Sequence, residues 1–304
     1  CAAPEERKGV QSKANIDKPA VIVVSSHVVR GSIGNRACVF ALETLGFPVW
    51  ALPTVVLPWH PGHRPGTRIV ANPEQFAALT DDLCRAPWLG EVGAIVSGYL
   101  GDPQQAASVA KLVIALKQKR RDAVFLCDPV IGDGGQLYVP NATAEAIRDR
   151  LVTLADILTP NRYEFEWLTG DRYNSNSELI DAVLQFNSTR TLITSAFAAN
   201  PASTGNLLVT ADRAWLATHR RIDNPPNGLG DLTSALFLAR ILAGVEDAKA
   251  LQTTTASVFE ILARTAKRGA DELTLETDAA SFANPMALVQ LQQLPHPSGS
   301  NRRA

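Results

Sequence analysis

The chain is poor in the features that announce a charged or membrane-bound partner. Its formal net charge is −1 over 304 residues. That leaves no basic surplus for a nucleic-acid backbone or an anionic lipid surface, so neither is expected as a partner. No run of about twenty apolar residues occurs, so there is no candidate membrane span. Four cysteines are present, Cys1, Cys38, Cys84 and Cys127, with no CxxC spacing and no zinc-type cluster. Such sparse cysteine use fits a reducing cytosol, and a cytoplasmic location is expected. Several familiar motifs are missing as well. There is no G-x-x-x-x-G-K-[ST] phosphate loop, no complete dinucleotide G-x-G-x-x-G, no H-E-x-x-H and no G-x-S-x-G.

What is present is an ordinary globular composition, 46% hydrophobic and 19% charged, long enough to bury a sizeable core. "AVIVVSS" (20–26) is a β-branched run ending in serines and reads as a buried strand. A glycine turn and an amphipathic helix follow in "GSIGNRACVFALETLG", with Gly46 as terminator, and "PVWALPTVV" reads as a second strand. The Pro-, Gly- and His-rich "LPWHPGHRPGTRIV" reads as a flap. Further strands are expected in "VGAIVSGYLG", "AVFLCDP", "DILTPN" and "TLITSA", with helices between them, and "NLLVTADRAWLATH" reads as an antiparallel pair turning at Ala211-Asp212-Arg213. Alternating strands and helices predict an α/β fold, a mostly parallel sheet with helices on both faces. We expect a disordered segment at 1–18, one domain over 19–290 and a flexible tail at 291–304. In such sheets ligands bind beyond the carboxyl ends of the strands. Ser25-Ser26, Tyr99, Asp128, Thr159–Asn161 and Thr194-Ser195 all fall at such ends.

The segment "NPPNGLGDLTSALFLARIL" (224–242) places Gly228-Leu229-Gly230-Asp231 ahead of an apolar run at helical spacing. Glycines let backbone N–H groups approach a ligand, and the first N–H groups of a helix have no intrahelical acceptor. The result is an anion site with a carboxylate at its rim, which suits phosphoryl transfer to an alcohol. The same four residues also allow a plainer reading, in which Asp231 only caps its own helix.

The rest of the chain bears on that choice. "SSHVVRGSIGNRACVFALETLGFPVWALPTV", "GAIVSGYLG", "DPVIGDGGQLYVP", "ADILTPNRYEFEWLTG", "LITSA" and "NGLGDLTSALFL" occur in this order. Together, from about residue 20 to about residue 290, they resemble the pyridoxal kinases of the ribokinase superfamily. The resemblance implies a ribokinase-like three-layer sandwich and transfer of phosphate from ATP to the 5′-hydroxymethyl group of pyridoxal. It implies that Asp231 is the base and that Gly228 and Gly230 form the anion hole, beside Leu229. Ser26, Ile33, His60 and Tyr99 match residues of the vitamin pocket. Asp128 and Glu164 match acids that organise Mg²⁺ and the phosphates, partly through water. Asp133, Tyr138, Thr159, Thr194, Ser195, His219 and Leu229 match nucleotide-side positions. A homodimer and a monovalent cation, K⁺ or Na⁺, are further family traits.

Two departures stand out. Leu229 replaces the usual Thr of Gly-Thr-Gly-Asp, and Trp59-His60-Pro61 replaces Asn-His-Thr in the flap, with His63 added. Two alternatives follow. A hydroxymethylpyrimidine kinase shares the superfamily, but such enzymes typically carry Cys where Asp231 stands. A vitamin-binding protein without turnover is the other; the retained Asp128, Glu164 and Asp231 weigh against it.

Overall fold

A computed structural model describes residues 18–186 and 189–297. Ten of its strands form one sheet in the order β12-β11-β10-β9-β8-β5-β4-β1-β2-β3. The central strands β1 (Ala20–Val28), β2 (Val49–Leu57), β4 (Val92–Ser97), β5 (Val124–Cys127), β8 (Ile157–Leu158) and β9 (Arg190–Ala196) are parallel. The flanks are antiparallel: β3 (Ile69–Val70) on one side, and β10 (Ser203–Thr210), β11 (Ala214–Arg220) and β12 (Gln290–Leu294) on the other. A separate hairpin joins β6 (Gly132–Asp133) to β7 (Gln136–Leu137).

The two faces of the sheet follow from strand periodicity. Along β1, Val21 and Val23 enter one core, while Ala20, Ile22 and Val24 enter the other. A strand apolar on both faces needs a helix layer on each side. One layer holds α1 (Asn35–Thr44), α7 (Leu229–Leu242) and α8 (Asp247–Arg268), and the other holds α2 (Pro73–Arg85), α3 (Pro103–Lys119) and α4 (Asn141–Arg150). Helices α5 (Arg162–Thr169) and α6 (Asn176–Gln185) cover the β9–β10 region, and α9 (Ala280–Ala283) follows α8. Helix α7 is apolar nearly all round, with Leu232 to Ala239 buried, because it lies between the sheet and α1 and α8. The expected α/β class and its helices on both faces are observed.

The termini differ from the sequence expectation. The tail expected from residue 291 begins as a paired strand: Leu291–Leu294 continue β12 against β11, where Leu291 and Leu294 pack on the core. At the other end, Lys18 donates to the Leu45 carbonyl at 2.5 Å and lies over the Phe47 ring. The rest of the 1–18 segment, and the tail beyond Pro297, lie outside the described residues. Helices α2 and α6, each opened by a side-chain cap (Asn72 and Ser175), went unread in the sequence.

Candidate active site

Strand order reverses between β1 and β4, and a cleft opens beyond their carboxyl ends. A cavity the size of a few atoms lies there, lined by Ser25, Cys38, Ser97, Gly98, Asp128, Asp231 and Ser234. Gly228 precedes α7 with φ 97°, and a Cβ there would fall 2.2 Å from the Ser32 carbonyl oxygen. Only glycine fits both demands. The first bond of α7 runs from the Leu232 N–H to the Gly228 carbonyl, so the N–H groups of Leu229 and Gly230 sit ahead of the ladder. Gly230 is exposed, and its open face looks toward Asp128, 3.9 Å from where a Cβ would stand.

Asp231 is not the N-cap. It is the third residue of α7, and the helix has no side-chain cap. The backbone N–H groups of Gly34, at the start of α1, and of Asp231 itself favour its ionised carboxylate. Two helix N-termini therefore face one carboxylate, which favours the ionised form. Burial outweighs them and lifts its pKa to about 6. Asp128, at the end of β5, is pushed to about 8 by burial and then by the charge of Asp231. Ser234, one turn beyond Asp231, donates to Asp128 Oδ2 at 2.8 Å and lies 2.8 Å from Thr159 Oγ1. Cys38 Sγ sits 3.4 Å from the Asp231 carbonyl, and burial keeps it a thiol.

Glu164 has a structural task beside the one implied by resemblance. It is buried, and both oxygens are engaged. Oε1 accepts from Ile131 N (3.0 Å), Gly132 N (3.4 Å) and Tyr138 OH (3.5 Å); Oε2 accepts from Asn161 N (2.8 Å). With Asn161 it completes a capping box on α5. Glu164 thus fixes the β5–β6 loop. Asp128, with one oxygen on Ser234, suits Mg²⁺, which takes one or two carboxylates and keeps waters or phosphates. Among the described residues no group of three His, Cys, Asp or Glu is placed to hold a metal.

Of the other positions matched to the nucleotide side, Asp133 and Ser195 line a neighbouring crevice of about 480 Å³. Asp133, Gly134, Gly135, Asn161, Arg162, Arg172 and Ser195 surround it. Asp133 Oδ1 accepts the Gly134 N–H at 2.7 Å. Thr194 N–H donates to the Pro160 carbonyl, which ties the end of β9 to that of β8, and Ser195 has φ 56°, unusual for a residue with a side chain. His219 stands apart on β11. Its ring stacks on Phe259 of α8 with centroids 4.5 Å apart, and burial lowers its pKa. It is half-buried.

On the opposite wall, Ile33 is buried in a small cluster with Val28, Val55 and Leu57, and Tyr99 packs against it. Ser26 is buried at an irregularity in the β1–β2 register. His60 Nδ1 accepts the Gly62 N–H at 3.0 Å, which places the ring proton of neutral His60 on Nε2. Burial holds its pKa below the usual histidine range. Trp59 stacks under Arg64, and Pro61 is exposed. His63 Nε2 meets Glu272 Oε1 at 2.7 Å, and Arg68 reaches Tyr99 OH and the Gly101 carbonyl. Sequence reasoning missed Gly34, Ser234, Glu272 and Arg162. Ser234 alone left a signal, an i+3 hydroxyl on the face of Asp231.

The chain is similar to known kinases. The phosphomethylpyrimidine kinase family model matches residues 74–275. The chain is 33% identical over 277 residues to pyridoxal kinase PdxY of Pseudomonas paraeruginosa, covering 88% of this chain and 96% of that one. It is 32% identical over 272 residues to pyridoxal kinase PdxY of Rubrobacter xylanophilus, covering 87% and 94%. The pyridoxal kinase of Leishmania donovani, in complex with ADP and pyridoxine, superposes with a TM-score of 0.84 at 27% identity, over 91% of this chain and 99% of that one. The same enzyme with ADP and pyridoxamine gives 0.84 at 26%. With identity above 30% across nearly the whole chain, a shared fold and a matching family model, this chain belongs to the pyridoxal kinase family.

Proposed function

We propose that the chain transfers the γ-phosphoryl group of ATP to the 5′-hydroxymethyl oxygen of pyridoxal, with Asp231 as the base. The observation that carries this reading is the placement of the Asp231 carboxylate between the starts of α7 and α1. It stands beside the Leu229 and Gly230 N–H groups and across a small cavity from Asp128. The alcohol proton passes to Asp231 as its oxygen bonds to the γ-phosphorus. The bond from that phosphorus to the β–γ bridging oxygen breaks, and ADP leaves. The two amides hold charge that develops on the transferred group. Asp128 would hold Mg²⁺, which when bound neutralises phosphate charge, and the 132–137 hairpin and Ser195 border the phosphates. Ile33, Tyr99 and His60 would seat the ring. Exclusion of water by the flap would limit ATP hydrolysis. Homodimerisation and K⁺ or Na⁺ dependence belong to the same reading. So does a cytoplasmic location, which fits the free thiols Cys38, Cys84 and Cys127 and the absence, among the described residues, of any helix long and apolar enough to cross a membrane.

A second reading, phosphorylation of a hydroxymethylpyrimidine, draws on the name of the matching family model. An ADP-release assay with pyridoxal, pyridoxine, pyridoxamine and hydroxymethylpyrimidine separates the two. The first reading expects turnover with at least one B6 vitamer, above any with the pyrimidine. Turnover with the pyrimidine alone would establish the second. Vitamer binding, seen as thermal stabilisation, with no turnover of any substrate would make the chain a binding protein.

A further inference from the structure

We propose that Ser234 is a positioning residue for phosphoryl transfer, holding Asp128 in register with the base Asp231 through a hydrogen-bonded row that begins at Thr159. The inference rests on the reading of Asp128 as the metal-side carboxylate.

Asp231 and Ser234 are three residues apart on α7, so both face the same side of the helix. Ser234 is 1% exposed and Thr159 3%. Their oxygens are 2.8 Å apart, and Ser234 Oγ is 2.8 Å from Asp128 Oδ2. A hydroxyl has one proton to give. Ser234 gives its proton to Asp128 Oδ2, so Thr159 is the donor to Ser234. The row therefore has a direction: Thr159 at the end of β8, then Ser234 on α7, then Asp128 at the end of β5. It crosses from one strand end to another by way of the helix that carries the base.

Its purpose follows from charge. Asp128 and Asp231, two carboxylates, line one cavity. Two carboxylates left free would rotate apart. The Ser234 bond fixes one oxygen of Asp128, and so fixes the direction in which the other can meet a cation. Because the bond originates on α7, any shift of that helix moves the base, the Gly230 amide and the metal-side carboxylate together. A residue that acts in this way sets metal affinity, not vitamin affinity.

The test uses the full chain with ADP, and Mn²⁺ as the probe, free Mn²⁺ being measured by electron paramagnetic resonance. Removing a group that orients a metal ligand typically weakens the metal by about 10- to 100-fold. Ser234→Ala is expected to weaken Mn²⁺ in this range and to raise KM for MgATP in step. Pyridoxal affinity by fluorescence should stay within about twofold, a difference worth under 1 kcal/mol. Ser234→Thr, which keeps the hydroxyl, should restore most of the loss. Thr159→Val removes the donor behind Ser234 and should shift Mn²⁺ affinity the same way, which keeps the test open if Ser234→Ala folds poorly. Wild-type Mn²⁺ affinity in Ser234→Ala, or in Thr159→Val should the first variant not fold, overturns the proposal. An equal loss of Mn²⁺ and pyridoxal binding would mark a merely structural role and also overturn it. Asp128→Asn distinguishes the underlying reading: if it too binds Mn²⁺ normally, Asp128 is not the metal-side carboxylate and both fall.

Discussion

The phosphate side and the vitamin side of the cleft are held in different ways. On the phosphate side, Asp128, Thr159, Glu164 and Ser234 are buried, and each bonds to another element. On the vitamin side, residues 61–69 are exposed, and the flap is fastened at a few points: Trp59 to Arg64, His63 to Glu272 and Arg68 to Tyr99 and Gly101. Phosphoryl transfer demands fixed donors and acceptors, since misplacement of about an ångström is costly. Entry of a vitamin demands a segment that can open, and such segments come from the low-stability end of a structure. Both departures noted in the sequence fit this division. Leu229 contributes through its backbone, so a lost hydroxyl leaves the amide in place. The Trp59-His60-Pro61 change falls at the start of that exposed loop.

The contrast can be broken first on the phosphate side. Asp231→Asn should lower kcat by about 100- to 10,000-fold, the usual contribution of a positioned base, with ADP and pyridoxal still bound. Gly228→Ala forces a Cβ toward the Ser32 carbonyl at φ 97° and displaces the start of α7. We expect kcat/KM for ATP to fall about 100-fold, with a lower Tm by calorimetry. Asp128→Asn should show itself in stability. Asp128 is lifted from an ordinary 3.8 to about 8, so between those values the folded chain holds a proton that the unfolded chain has lost. Its contribution is therefore full below 3.8 and is lost as pH rises through 8. Ligand-free Asp128→Asn should gain Tm over the wild type as pH rises, with the gain absent in acid; a gain that does not change with pH would refute the assignment.

The flap tests are smaller. Glu272→Gln weakens the pairing with His63 and Arg30, and KM for pyridoxal should rise about two- to fivefold with kcat little changed, as for partly exposed ion pairs. Leu229→Thr should change kcat/KM for ATP by no more than about fivefold, since it adds at most one hydrogen bond. A larger gain would mean that backbone donors alone do not hold the phosphates.

Much of the fold was legible because it rests on local pattern. β1 alternates between two cores, and Gly46, with φ 82°, ends α1 as its place in the sequence suggests. Strand β12 was not legible: Gln290, Gln292 and Gln293 give little apolar signal, and its pairing with β11 spans a helical layer of sequence. Within the site, Asp231, Asp128 and Gly228 could be found as residues at strand and helix ends. Two things could not be read. Asn161 with Glu164 has the spacing of a cap, yet only the fold shows that Glu164 also grips Ile131 and Gly132. The Gly34 N–H that meets Asp231 lies almost two hundred residues away and is brought there by the packing of α1 on α7.

The most direct check on Asp231 is the pH dependence of kcat/KM for pyridoxal in the wild type and in Asp231→Asn. This parameter reports groups of the free enzyme, where Asp231 titrates at about 6. The base must be ionised, so wild-type kcat/KM should fall as pH drops through that value, and the residual activity of Asp231→Asn should lack this limb. The same acid limb in both proteins would show that another group takes the proton.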